Sequence, residues 1–165
     1  MIEIKKVKYL PELRRLAEVA DEIWHECFVD IISNGQIDYM VEKFQSLDAM
    51  CKQIEEQSYC YFAVYDDSDL CGYFAVKPES DDRFFLSKLY LRHDKRGNGI
   101  AKKMLEKVFE EARAANKKTV YLTVNKQNEH AIAVYKKTGF TLIDSVITDI
   151  GGGYVMDDYI FSYIL

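Results

Sequence analysis

Two glycines one residue apart, Gly97 and Gly99, stand between an apolar run and a strongly periodic segment. The run, residues 84–91, has the length and composition of a strand, and it ends at the polar turn His93-Asp94-Lys95. From there on Ile100, Ala101, Met104, Leu105, Val108, Phe109 and Ala112 recur at helical spacing, with charges on the other face. The stretch therefore reads as strand, tight glycine turn, helix. The charge at the helix start is unusual. A first turn favours Asp or Glu, because free amides and the macrodipole make that end positive. Here Lys95, Arg96, Lys102 and Lys103 surround it, and the first acid is Glu106. Cations at that end cost stability unless an anion sits there, and two glycines let a ligand come close to free amides. A phosphate or pyrophosphate seat is one reading; an ordinary glycine turn with solvated lysines is the other.

The rest of the chain alternates strands and helices around this unit. Residues 1–7 alternate as a short strand. Pro11 suits a first helical turn, and Leu13, Leu16, Ala20, Ile23, Trp24 and Phe28 mark an amphipathic helix that Ser33-Asn34-Gly35 breaks. A second helical pattern runs from Ile37 through Met40, Phe44 and Leu47 to Ile54, with Ser46 as a candidate local cap. Residues 59–65 and 70–76 read as a hairpin, 78–82 as a loop and 84–91 as a third strand. Residues 119–124 form a further strand and 131–137 a short helix, stopped by Gly139 in the position glycine favours beyond a C-terminus. Residues 140–147 and 154–165 close the chain as a hairpin around Gly151-Gly152-Gly153. The order predicts an α/β chain (an α+β mixed sheet) of about seven strands flanked by helices. At 165 residues, one domain over 1–165 is expected.

The net charge of −5 argues against a nucleic-acid partner and suits a cationic small substrate. Cys27, Cys51, Cys60 and Cys71 include no CxxC pair, and His25, His93 and His130 lie far apart, so reduced thiols are expected rather than a metal site or disulfides. No signal peptide or long apolar span is visible, which predicts a cytoplasmic protein without a membrane partner.

Arg96-Gly97-Asn98-Gly99-Ile100-Ala101, followed by Asn128, Ala131, Tyr135 and the pair Gly139-Phe140, resembles the GNAT family of acyl-CoA N-acyltransferases. That family's cofactor turn is Arg or Gln, two residues, Gly, one residue, then Gly or Ala. The order of elements matches over essentially the whole chain. The resemblance implies the GNAT fold and acetyl-CoA as acyl donor, with no metal. The backbone of Leu89, Tyr90 and Leu91 would pair with the pantetheine arm, as an added strand does. The amides of Gly97, Asn98, Gly99, Ile100 and Ala101 would cradle the pyrophosphate, with Arg96 nearby. Asn128 would bond the pantetheine, and Tyr135 would sit beside the sulfur as general acid. Seven residues are about two helical turns, so Asn128 and Tyr135 share a face. Taken singly, Asn128 also reads as a helix cap and Tyr135 as a core aromatic.

Acetyl transfer to an amine needs a neutral nitrogen, aligned reactants and a donor for the developing oxyanion; a backbone N–H near Leu91 is the candidate donor. Many relatives place a glutamate base six residues before the position of Leu91, and Phe85 stands there. A base must then come from His25 or Glu26 on the first helix, from Asp157 or Asp158 on the last hairpin, or be unnecessary. The leading expectation is an acetyl-CoA-dependent N-acetyltransferase acting on a primary amine, a polyamine-like cation first among them. A peptide or protein amine and a non-catalytic CoA-binding module are the alternatives. The resemblance leaves a homodimer open. A nucleotide-hydrolysing phosphate loop fits poorly, since the turn lacks Gly-Lys-Ser/Thr.

Overall fold

The computed structural model describes residues 1–165. Seven strands form one sheet in the order β1-β2-β3-β4-β5-β7-β6. They are β1 (Ile2–Lys6), β2 (Cys60–Asp66), β3 (Asp69–Pro78), β4 (Arg83–Leu91), β5 (Thr119–Asn125), β6 (Thr141–Gly151) and β7 (Tyr154–Ile164). The helices are α1 (Leu10–Phe28), α2 (Asn34–Met40), α3 (Leu47–Glu56), α4 (Ile100–Ala114) and α5 (Glu129–Thr138). The mixed sheet and its strand count agree with the sequence expectation.

Two features of the second helical pattern differ from it. The first helix does end before the second, but the break falls at residues 29–33; Asn34 and Gly35 form the first turn of α2, because the Ser33 hydroxyl accepts from the Gln36 amide at 3.1 Å and caps it. The pattern to Ile54 is not one helix either. A π-helical turn, Val41–Gln45, follows α2, and Ser46 caps α3 by accepting from the Ala49 amide at 3.2 Å. The π turn leaves the Phe44 carbonyl free to accept from Lys88 and, at 3.1 Å, from Gln53.

The sheet is covered on both faces. On one, α4 and α5 bury Met104, Leu105, Val108, Leu122 and Phe161 against β2–β5 and β7. On the other, α1 and α3 bury Leu16, Val19, Ile23, Met50 and Tyr73. Each fully buried Leu, Ile or Phe of these layers contributes roughly 1.5–3 kcal/mol. A third cluster joins the end of α1 and α2 to the hairpin tip through Trp24, Phe28, Ile37, Met40 and Ile150. The sheet edge at β6 carries exposed Leu142, Ile143 and Ile147.

Every neighbouring pair of strands is antiparallel except β4–β5, which is parallel and short. It pairs only Arg83 with Thr119, Phe84 with Val120 and Phe85 with Tyr121. Beyond Phe85 the strands diverge: β4 follows β3, and β5 follows β7 as far as Asn125 opposite Asp158. The sheet is therefore split at its centre.

Candidate active site

A bulge marks the start of the split. Along the β3–β4 pair, Ala75 faces Lys88 and Val76 faces Leu86, so Ser87 is the extra residue on β4. The bulge shifts the side-chain phase by one. Phe84 and Leu86 pack toward α4, whereas Lys88 turns to the α3 face and bonds Gln53 Oε1 at 2.9 Å as well as Tyr61 OH. Lys88 is 5% exposed with no carboxylate partner, and burial pulls its ammonium down to about 7.

Past the bulge, β4 has a free edge. Arg92 N–H donates to Cys71 O at 2.8 Å across the β3 side. Amide direction alternates along an extended strand, so the amides of Leu91 and Leu89 point the other way, into the split. Two of the three residues expected to meet a pantetheine arm thus present backbone donors there. Tyr90 instead bonds toward β3, and its ring packs on Trp24 and Phe28.

The split continues to the glycine turn. Gly97 and Gly99 have φ of +81° and +76°, a region side chains rarely adopt, and a Cβ at either would meet nothing within 4 Å. No group of the chain accepts from the amides of residues 97–102; the first helical bond runs from Lys103 N–H to Gly99 O at 3.3 Å. An anion cradled by these amides would meet open space, as the seat reading requires. The surrounding cations are fewer than expected. Lys95 pairs with Asp66 at 3.2 Å and is drawn away from the turn. Arg96 points inward, its Nη2 donating to Cys27 Sγ at 3.1 Å. His130 lies close enough to Arg96 and His93 that, after burial, their charges lower its pKa. Sequence distance hid that cluster.

On α5, Asn128 is both cap and wall: its Oδ1 accepts from Ala131 N–H at 3.3 Å, and the residue lines the cleft. Tyr135, two turns further along the same face, is 6% exposed, stands edge-on to Phe140 at 5.6 Å and lines the same cleft. Burial raises its phenol, so it stays protonated through neutral pH.

The cleft runs through the split from α5 to the α1–α2 side. Ser87, Leu89, Tyr90, Asn125, Tyr135 and Asp158 border it, and Trp24, Phe28, Met40 and Met156 wall its far half. Of the four expected bases it takes one. Asp158 is 4% exposed, makes no ion pair, and is pushed up to about 6 by burial, with Asp157 adding and Lys126 opposing. Asp157 lies on the opposite face of β7 and pairs with Lys126 at 2.9 Å. His25 lies outside the cleft; Nε2 meets Asp38 at 2.7 Å and Nδ1 meets Asp21 O at 2.8 Å, bonds that raise its pKa. Glu26 accepts from the His93 amide at 3.3 Å and is also outside. Phe85 stacks on Tyr121 at 4.8 Å, with Arg83 over the same ring. Sequence reasoning missed the lining roles of Trp24, Phe28, Met40 and Met156. Helical spacing marked the first three as inward-facing, which is the only signal they carry.

A bulged central strand, a neighbour that splays from it and a glycine turn with unpartnered amides at its end are the fold of an acyl-CoA N-acyltransferase. Residues 16–140 match the Acetyltransferase (GNAT) family, and the chain belongs to it. A crystal structure of PaiA N-acetyltransferase from Thermoplasma acidophilum in complex with coenzyme A is 25% identical, superposes with a TM-score of 0.84, and is covered over 100% of this chain and 99% of that one. Among curated relatives, a probable spermine N(1)-acetyltransferase from Bacillus subtilis subsp. natto is 31% identical over 104 residues. A spermine/spermidine N(1)-acetyltransferase of Bacillus subtilis strain 168 is 28% identical over 99. Each match spans 53% of this chain and 65% of the relative's length.

Proposed function

We propose that the chain transfers an acetyl group from acetyl-CoA to a primary amine by direct attack of the neutral nitrogen. The observation that carries this reading is the opening of β4 from β5 beyond Phe85, which leaves strand amides facing a cleft bordered by Tyr135 and Asp158. The residues present suit the donor: unclaimed amides over 97–102 for the pyrophosphate, Leu89 and Leu91 amides and Asn128 for the pantetheine. Acetyl-CoA supplies an activated thioester; the chain supplies the rest. Asp158, more basic than an ordinary carboxylate, takes the proton the ammonium must lose. A strand amide near Leu91 meets the negative charge that develops on the carbonyl oxygen. Tyr135 keeps its proton for the departing sulfur. Much of the rate comes from alignment in the split.

A polyamine acceptor is the sequence expectation, and the names of two relatives agree with it. The proposal includes a cytoplasmic location for the single domain, and self-association along the exposed β6 edge. No helix is long and apolar enough to cross a membrane.

The test is thiol release from acetyl-CoA with a panel of monoamines, polyamines and a lysine peptide, beside calorimetric titration with CoA. Turnover on an amine supports the reading. Tight CoA binding with no product on any amine supports the non-catalytic module instead, whose argument is Phe85 in the place of an acid.

A further inference from the structure

We infer that the acceptor is a monoamine with a compact apolar body, an arylalkyl- or branched alkylamine, and that polyamines are poor substrates. This narrows the acetyltransferase reading and rests on it. The half of the cleft beyond Ser87 is walled by Trp24, Phe28, Ile32, Met40 and Met156. Its polar members are Gln36 and Asp158, and Asp158 is the one charged residue lining the cleft anywhere. One ammonium is thereby matched; a second is not.

The nearby carboxylates are committed elsewhere. Asp157 pairs with Lys126 at 2.9 Å on the other face of β7. Asp38 holds His25 at 2.7 Å, and Asp149 accepts from the Gly151 amide at 2.9 Å. The outer wall is closed by bonds from α2 and the π turn to the last hairpin. Gln36 Nε2 donates to Val155 O at 3.0 Å, Tyr39 OH donates to Ile150 O at 2.6 Å, and Lys43 donates to the same carbonyl. The charge that seals this wall is a cation. A distal ammonium would lie among apolar side chains with Lys43 beyond them and no second carboxylate to pair with.

The aromatic residues are not an open cage for a second cation. Trp24 and Phe28 stack on each other at 4.3 Å, and Tyr90 packs against both at 5.2 and 6.0 Å. Trp24 Nε1 donates to Tyr73 OH at 3.2 Å, which donates to Gln45 Oε1 at 2.7 Å, so the indole is locked. What this wall offers is apolar area, and Met40 and Met156 adapt it to bodies of different shape.

Pentylamine and cadaverine differ only in the distal ammonium. With acetyl-CoA and thiol release as readout, kcat/KM for pentylamine is expected about tenfold or more above that for cadaverine, with phenethylamine at least equal to pentylamine and spermidine below both. Cadaverine or spermidine equal to or better than pentylamine overturns the inference and leaves the acetyltransferase reading standing. No product from any amine overturns both. Met156→Asp adds a second carboxylate two residues from Asp158 on the same strand face and should raise the cadaverine-to-pentylamine ratio; an unchanged ratio counts against the inference.

Discussion

Replacing Asp158 with Asn should make the protein more stable and far less active. The carboxylate is 4% exposed, and burial lifts it from 3.8 to about 6. A folded-state pKa above the unfolded one means the native state binds the proton more tightly. Stability from this group is therefore present at low pH and lost as pH rises through the window from about 4 to about 6. At about 1.4 kcal/mol per unit the shift is worth about 3 kcal/mol as an upper bound, less after the carboxylate relaxes toward the cleft. Asn keeps the shape and never ionises. Thermal unfolding at about pH 7.5 should show Asp158→Asn above the parent by several degrees, and the gain should shrink as pH falls through about 6 and vanish below about 4. The parent's kcat/KM should rise with pH through about 6, from the Asp158 limb. The variant should lose that limb and about 10²–10⁴ of rate. A variant that is destabilised at neutral pH, or that keeps the limb and its rate, would refute the assignment of Asp158 as base.

Other perturbations separate the parts of the site. Tyr135→Phe removes only the proton donor, so kcat should fall about 10²-fold while the Kd for CoA is unchanged by calorimetry. Gly99→Ala meets no neighbour but must hold a positive φ, at a cost of roughly 1–2 kcal/mol. It also puts a methyl into the anion seat, and CoA should bind about tenfold or more weakly by titration. Lys88, held down to about 7 in the fold, binds its proton more tightly when unfolded; stability should rise with pH between about 7 and about 10.5, and Lys88→Met should flatten that rise in a series of melting curves.

Most of the scaffold was legible because its signals are local. Gly97, Gly99 and Gly139 all take the positive φ that their positions in the pattern imply. Pro11 falls at the start of α1, Ser46 caps a helix, and the succession of strands and helices along the chain follows from hydrophobic runs and turns. What was not legible depends on register and on distant partners. The extra residue at Ser87 exists only relative to β3, and it decides that Lys88 faces α3. The π turn is bound up with the free Phe44 carbonyl, whose partners are Lys88 and Gln53. Asp157 and Asp158 look alike in a row, yet strand alternation sends one to Lys126 and the other into the cleft. Lys95 looked like part of the anion seat until Asp66, on a strand nearly thirty residues earlier, was seen to hold it.

The central claim is that acetyl-CoA lies in the split between β4 and β5 with its pyrophosphate on the turn before α4. A crystal structure of the protein with CoA tests this most directly. Phosphate oxygens about 3 Å from the amides over 97–102, with pantetheine bonded to the Leu89 and Leu91 backbone, is the predicted result. Side chains closing the split, or a ligand seated away from that turn, would contradict it.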